Sequence, residues 1–151
     1  MSAQKSFLIE VDYDQPIPDL VVRGMYGRKN ISHDRVPRSS RSGKREIEIA
    51  LLHLGEPMVY PGVIGDFLAS GYRPVEPREI LAFGIQHPKE QYGFPIHALG
   101  DPYRLREDGG EFNVFLWIST DDGRQFRSVG ERPIDLVYDE DCRFLAVPIE
   151  E

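Results

Sequence analysis

The chain has 151 residues, 40% of them apolar and 11% aromatic, with a formal net charge of −7 at pH 7 and a single cysteine. This composition is typical of one globular domain, residues 1–151, and excludes collagen-like, low-complexity and disulfide-stapled chains. No apolar run approaches the roughly 20 residues of a membrane-spanning helix, and residues 7–11 are too short for a signal core, so we expect a cytoplasmic protein without membrane association.

The N-terminal part contains two strand patterns and one helix pattern. Alternating apolar and polar residues over 6–12 predict a strand with one buried face. Apolar residues at helical spacing over 17–25 predict a short amphipathic helix of about three turns. Residues 45–54 begin with charged residues on one side and end with apolar residues on both sides. We therefore expect this strand to enter a sheet at an exposed edge and to end where both faces are covered.

A basic segment lies between these elements. Residues 23–45 hold eight basic residues and one acidic residue, a net charge of +7 that leaves −14 on the rest of the chain. Residues 27–44 have few apolar side chains and are predicted to form a mobile loop. The segment is either a solvated loop attracted to the acidic remainder, the interpretation we favour, or a site for phosphate groups or a partner. The residues that would make such contacts are Arg28, Lys29, Arg35, Arg38, Arg41, Lys44 and Arg45.

Two more helices are predicted in the middle of the chain. Residues 61–69 have an apolar face and two glycines, Gly62 and Gly65, which indicate close packing of another backbone. Residues 77–87 satisfy several start and stop rules at once, with proline at the first position, glutamates beside it and a His-Pro pair at the end. We expect this helix to be the central element of the fold.

The central helix is predicted to bury Leu81 and Ile85, with Gly84 as a point of close approach. The run that follows alternates Phe94, Ile96 and Ala98, which predicts a short strand. The Gly-Asp-Pro sequence at 100–102 is expected to end that strand.

Four sequences in this region and at the C-terminal end carry a family resemblance. They are GYRP at 71–74, EILAFG at 79–84, FPIHALG at 94–100 and CRFLAV at 142–147. Together they resemble a group of short bacterial proteins with no known activity, so the resemblance implies a compact module and no site residues. The GYRP start and the final RFL strand also resemble C-type-lectin-like domains, although this chain has one cysteine and lacks their tryptophan-rich middle.

A β-hairpin is predicted in the last third of the chain. Residues 112–119 alternate with apolar side chains on both faces, and Asp122-Gly123 is a two-residue turn signal leading to a strand at 125–129. That turn would place Ser119 opposite Phe126. Phe115, Trp117 and Phe126 then share one face of the hairpin. This face is either covered by the N-terminal segment, which we favour, or exposed as an aromatic binding patch. Residues 131–138 and 142–149 predict two further strands, the last ended or placed at an edge by its proline.

The histidines and the cysteine give no clear chemistry. His53 and His97 are the two histidines that paired strands could bring together, and no H-x-x-x-H or Cys-x-x-Cys spacing is present. Cys142 follows three acidic residues, which disfavour a thiolate. We predict no catalytic, metal-binding or cofactor-binding residues and no cofactor.

These patterns predict an α+β fold, a mostly antiparallel sheet of five to seven strands with two or three short helices packed on one side. The sequence contains no nucleophile elbow and no nucleotide fingerprint, which makes a catalytic function the less favoured hypothesis. The function we favour is that of a small non-catalytic binding or accessory module acting through a protein partner. The alternative is a nucleic-acid-associated protein that uses residues 23–45, and its binding would weaken steeply with salt.

Overall fold

Ten strands and three α-helices follow one another in the computed structural model, which describes residues 2–107, 109–121 and 123–149. In chain order they are β1 (Ser2–Asp12), α1 (Ile17–Arg23), β2 (Arg28–Asn30), β3 (Lys44–His53), β4 (Met58–Val59), α2 (Tyr60–Ala69), β5 (Tyr72–Pro74), α3 (Pro77–Gln86), β6 (Ile96–Glu107), β7 (Gly110–Asp121), β8 (Phe126–Pro133), β9 (Val137–Tyr138) and β10 (Arg143–Pro148).

Within these residues, eight strands form one sheet in the order β1, β3, β10, β6, β7, β8, β2, with β5 paired to β10. All the pairs in this sheet are antiparallel except β10 with β6 and β2 with β8. The α+β class and the mostly antiparallel sheet are confirmed, with one strand more than the upper limit of the prediction. No helix in the described ranges is both long and apolar enough to cross a membrane.

Two apolar clusters lie on opposite faces of the sheet, because neighbouring residues of a strand point to opposite sides. Ile49, Leu51 and Leu145 belong to the first cluster, which α1 and α3 cover. Ala50, Leu52, Phe144 and Ala146 belong to the second, together with Val63 and Phe67 of α2. The prediction that β3 ends with both faces covered is confirmed.

Helix α3 lies at the centre of the first cluster, as predicted. Leu81 and Phe83 are fully buried, whereas Ile85 is half-buried. At its N-terminus the Glu79 carboxylate accepts a hydrogen bond of 2.8 Å from the Glu76 backbone N–H. A side chain at Gly84 would clash with the Tyr26 hydroxyl, 2.2 Å from the place of its Cβ, so the close approach predicted there is confirmed.

Several local predictions were wrong. Residues 131–138 do not form one strand, since they hold the end of β8 at Pro133 and the separate strand β9, Val137–Tyr138. Helix α1 ends at Arg23, and Met25 has a positive φ of 55° and is 83% exposed instead of buried. No backbone packs closely on Gly62 or Gly65: a Cβ at Gly62 would make an ordinary contact with the Met58 side chain at 3.9 Å, and one at Gly65 would meet nothing within 4 Å. Strand β6 does not end at residues 100–102, since an irregularity between Ala98 and Tyr103 lets it continue to Glu107.

The β7–β8 hairpin has a register two residues away from the predicted one. Phe126 pairs with Asp121, and Ser119 pairs with Ser128. A shift of two residues keeps every side chain on its predicted face. Asp122, half of the predicted turn, lies outside the described residues, while Gly123 has the positive φ of 63° that such a turn uses.

Candidate functional site: a gap between β3 and β10

Strands β3 and β10 separate part-way along their length. They pair from His53 with Arg143 to Ala50 with Ala146, and no further. Beyond that point β3 continues to pair with β1 as far as Lys44, while β10 pairs on its other side with β5. Residues 45–48 of β3 and 147–149 of β10 therefore border a gap in the sheet, which we call the β3–β10 gap.

The alternation of backbone hydrogen bonds shows which groups face the gap. Tyr13 N–H donates to the Gly43 carbonyl over 3.0 Å, which makes the odd-numbered residues of β3 the ones bonded to β1. The even-numbered residues, Glu46 and Glu48, then direct their N–H and C=O groups toward β10. Within the described part of the chain, these groups have no backbone partner.

Pro148 explains why the ladder stops. The β3–β10 register would next pair Glu48 with Pro148, at a position where each residue exchanges two backbone hydrogen bonds. Proline has no N–H and cannot donate to the Glu48 carbonyl. The predicted role of this proline, to end the strand, is confirmed, but β10 is a central strand and not an edge strand.

The gap opens into a cavity of about 450 Å³. This volume falls within the range of about 300–1,000 Å³ that ligand sites commonly have. Its lining combines apolar residues, acidic residues and arginines: Ile47, Val147, Pro148, Ile149, Glu46, Glu48, Tyr13, Arg41, Arg45 and Arg73. The cavity thus joins a free strand edge to charged side chains.

A buried ion pair forms one wall of this cavity. The Arg73 guanidinium donates to both carboxylate oxygens of Glu79, at 3.0 and 2.8 Å, and the Tyr13 hydroxyl donates to Glu79 Oε2 at 2.6 Å. Burial alone would raise the pKa of Glu79, but the hydrogen bonds and charge of Arg73 outweigh it and lower that pKa. Glu79 therefore stays ionised and holds Arg73 in place.

A second ion pair lies beside the first. Arg41 Nη1 and Ser39 Oγ donate to Glu76 Oε2 at 2.9 and 2.8 Å. Glu76 is only 2% exposed, and its other oxygen, Oε1, has no hydrogen-bond partner in the described part of the structure. Burial raises the pKa of Glu76, and the carboxylates of Glu79 and Asp101 raise it further against the opposing effect of Ser39 and Arg41.

The predicted basic contacts are not brought together. Arg28 and Lys29 lie on β2 at one edge of the sheet, whereas Lys44 and Arg45 begin β3, and β8, β7, β6 and β10 lie between them in the sheet order. Arg41 is directed inward to Glu76, while Arg35 and Arg38 are exposed. Only Arg41 and Arg45 of the seven line the gap. Mobility of residues 27–44 stays a prediction.

The three predicted aromatic residues have different environments. Phe115 is fully buried in the second cluster, and Trp117 is half-buried beneath the Arg132 guanidinium, whose carbon is 4.4 Å from the ring centroid. Phe126 is 46% exposed and lies against Gly27. The cluster that contains Phe115 and Trp117 also contains side chains of α2 and of residues 134–138, and none from those N-terminal residues whose side chains the structure describes.

The two histidines do not meet, because β10 lies between their strands. His97 is fully buried, its Nδ1 lies 3.0 Å from the Arg143 carbonyl and Arg132 donates to its Nε2 at 3.0 Å. Burial lowers the pKa of His97 to about 4, so the ring is neutral and donates through Nδ1. Among the described residues, no group of three or more potential metal ligands comes together.

Sequence reasoning missed most residues of this site. Glu46 and Glu48 were placed only as the charged face of a strand, and Arg73 only as part of the GYRP sequence. One available signal was Pro148 near the end of the terminal strand, because a proline interrupts the backbone hydrogen bonds between paired strands. No sequence pattern indicates that the interruption falls beside β3.

No family model, no curated protein and no solved structure matches this chain. The resemblances to short bacterial proteins and to C-type-lectin-like domains therefore stay predictions. Any statement about function rests on the geometry of the site.

Proposed function

We propose that this protein is a non-catalytic binding module that recognises an extended segment of a partner protein by adding it as a strand in the β3–β10 gap. The observation that carries the proposal is the backbone of Glu46 and Glu48, which borders a cavity and has no backbone partner among the residues that the structure describes. Extended peptides commonly bind at such free strand edges, where backbone hydrogen bonds supply affinity.

The surroundings of the gap support this proposal over a small-molecule site. An incoming strand would find backbone donors and acceptors on one side and the half-buried side chains of Ile47 and Val147 within the gap. The Arg73–Glu79 pair fixes one wall, so little ordering is needed when a ligand arrives. A rigid edge with apolar and charged positions suits side chains that alternate along an extended chain.

The nucleic-acid alternative has weaker support. A phosphate-binding surface requires basic side chains that converge, and here they are spread from β2 at one edge of the sheet to β3, five strands away. Binding of a nucleic acid through the segment would show an affinity that falls steeply with salt, and it would not depend on the backbone of Glu48.

The test uses a heptapeptide library displayed on phage, selected on the intact protein and then on two variants. Glu48→Pro removes the backbone N–H that faces the gap, whereas the control Glu48→Ala removes the same carboxylate and keeps that N–H. Residue 48 donates no hydrogen bond to β1, so both variants should melt within a few degrees of the parent.

We expect selected peptides to bind Glu48→Pro roughly tenfold more weakly than Glu48→Ala, since they lose a hydrogen bond and meet the proline ring. Peptides that bind both variants equally, or a library from which nothing is selected, would contradict strand addition in this gap.

A further inference from the structure

The two sides of the gap differ in charge. Arg45 and Ile47 point to the face of the sheet that α3 covers, and Glu46 and Glu48 point to the other face, because side chains alternate along β3. The lining arginines therefore lie on the first face and the glutamates on the second. A strand placed in the gap would contact both kinds of residue.

On the first face, one positive charge has no acidic partner in the part of the chain that the structure describes. Arg73 is paired with Glu79 and Arg41 with Glu76. Arg45 donates through Nε to the Ser42 carbonyl at 3.2 Å, its guanidinium carbon lies 5.8 Å from the Tyr13 ring centroid, and no carboxylate in the described residues pairs with it. An acidic side chain of a ligand bound in the gap would form an ion pair with Arg45.

On the second face, the unpaired charges are negative. Glu46 and Glu48 are exposed, and neither makes an ion pair within the described residues. Both lie two positions apart on one strand, which is the spacing of successive same-face residues in a neighbouring strand. Basic side chains of an incoming strand would lie opposite them.

We infer that the segment bound in the β3–β10 gap carries a defined pattern of charge, with basic residues opposite Glu46 and Glu48 and an acidic residue opposite Arg45, next to the basic residue that faces Glu46. The inference rests on the proposed function and names the chemistry of its ligand. Successive residues of the segment lie opposite successive residues of β3, so the expected pattern over four consecutive positions is basic, a residue that packs on Ile47, basic and acidic, ending at the residue that faces Arg45.

The experiment extends the heptapeptide selection. Peptides whose binding depends on the backbone of Glu48 are sequenced, and synthetic copies are titrated against the intact protein, against Arg45→Gln and against the double variant with Glu46→Gln and Glu48→Gln. Arg104→Gln, which changes an exposed arginine outside the gap, serves as the matched control. Each titration is repeated at higher salt.

We expect enrichment of this four-residue charge pattern, and a loss of about two- to fivefold in affinity for each gap charge removed, as for partly exposed ion pairs. High salt should reduce these losses, and Arg104→Gln should cause none. Peptides that depend on the Glu48 backbone but show no charge pattern, or that bind Arg45→Gln unchanged, would overturn the inference and leave strand addition intact. Peptides indifferent to Glu48→Pro would overturn strand addition itself.

Discussion

Replacing Arg73 with glutamine is expected to lower the free energy of unfolding by about 3–5 kcal/mol, because it leaves the fully buried Glu79 carboxylate without its counter-ion. Chemical denaturation measures the change. The control is Arg104→Gln, which breaks an exposed pair with Glu111 and should cost no more than about 1 kcal/mol. Equal losses in the two variants would show that the Arg73–Glu79 pair is not buried as described.

The same pair gives stability a pH dependence. The pKa of Glu79 is lower in the folded protein than in the unfolded chain, so its contribution is complete above the usual glutamate pKa of about 4.3 and is lost as pH falls toward the folded value. A melt series from pH 6 to pH 3 should show this loss in the parent and a smaller one in Glu79→Gln. Identical slopes would mean that Glu79 is not held ionised by Arg73.

Replacing Leu81 with alanine is expected to cost about 2–5 kcal/mol, since a fully buried side chain on the central helix leaves a cavity. The matched control is Leu8→Ala, because Leu8 is 66% exposed and its removal should change the free energy of unfolding by about 0.5 kcal/mol or less. Denaturant midpoints and slopes measure both variants. A Leu81→Ala protein as stable as the control would show that α3 is not the centre of the core.

The parts of the fold that follow from local chemistry were predictable. Side-chain alternation places the faces of β1, β3 and β10 correctly, and the capping and terminator rules place α3 within one residue of its observed end. Predictions failed where a neighbouring element decides the outcome. Strand β6 continues past Gly100 through the irregularity between Ala98 and Tyr103, where the Gly100 N–H donates to the Val75 carbonyl of another segment at 2.8 Å.

The candidate site lay beyond sequence reasoning for the same reason. The density of positive charge indicated a possible binding site in residues 23–45. In the structure, however, Arg41 pairs with the buried Glu76, and Arg28 lies at the far edge of the sheet. The gap exists because Pro148 falls opposite Glu48, and that register depends on how two strands almost a hundred residues apart pair. Periodicity identifies each strand but does not state which strands are neighbours.

Amide hydrogen exchange along β3, followed by NMR, tests the central claim most directly. In the free protein, the Ile47 and Ile49 amides should exchange slowly because they donate to β1, whereas the Glu46 and Glu48 amides should exchange rapidly. A saturating heptapeptide chosen by the selection should slow exchange at Glu48 at least tenfold and leave Ile47 and Ile49 slow. Slow exchange at Glu48 in the free protein, or a bound peptide that leaves Glu48 fast, would contradict strand addition in the gap.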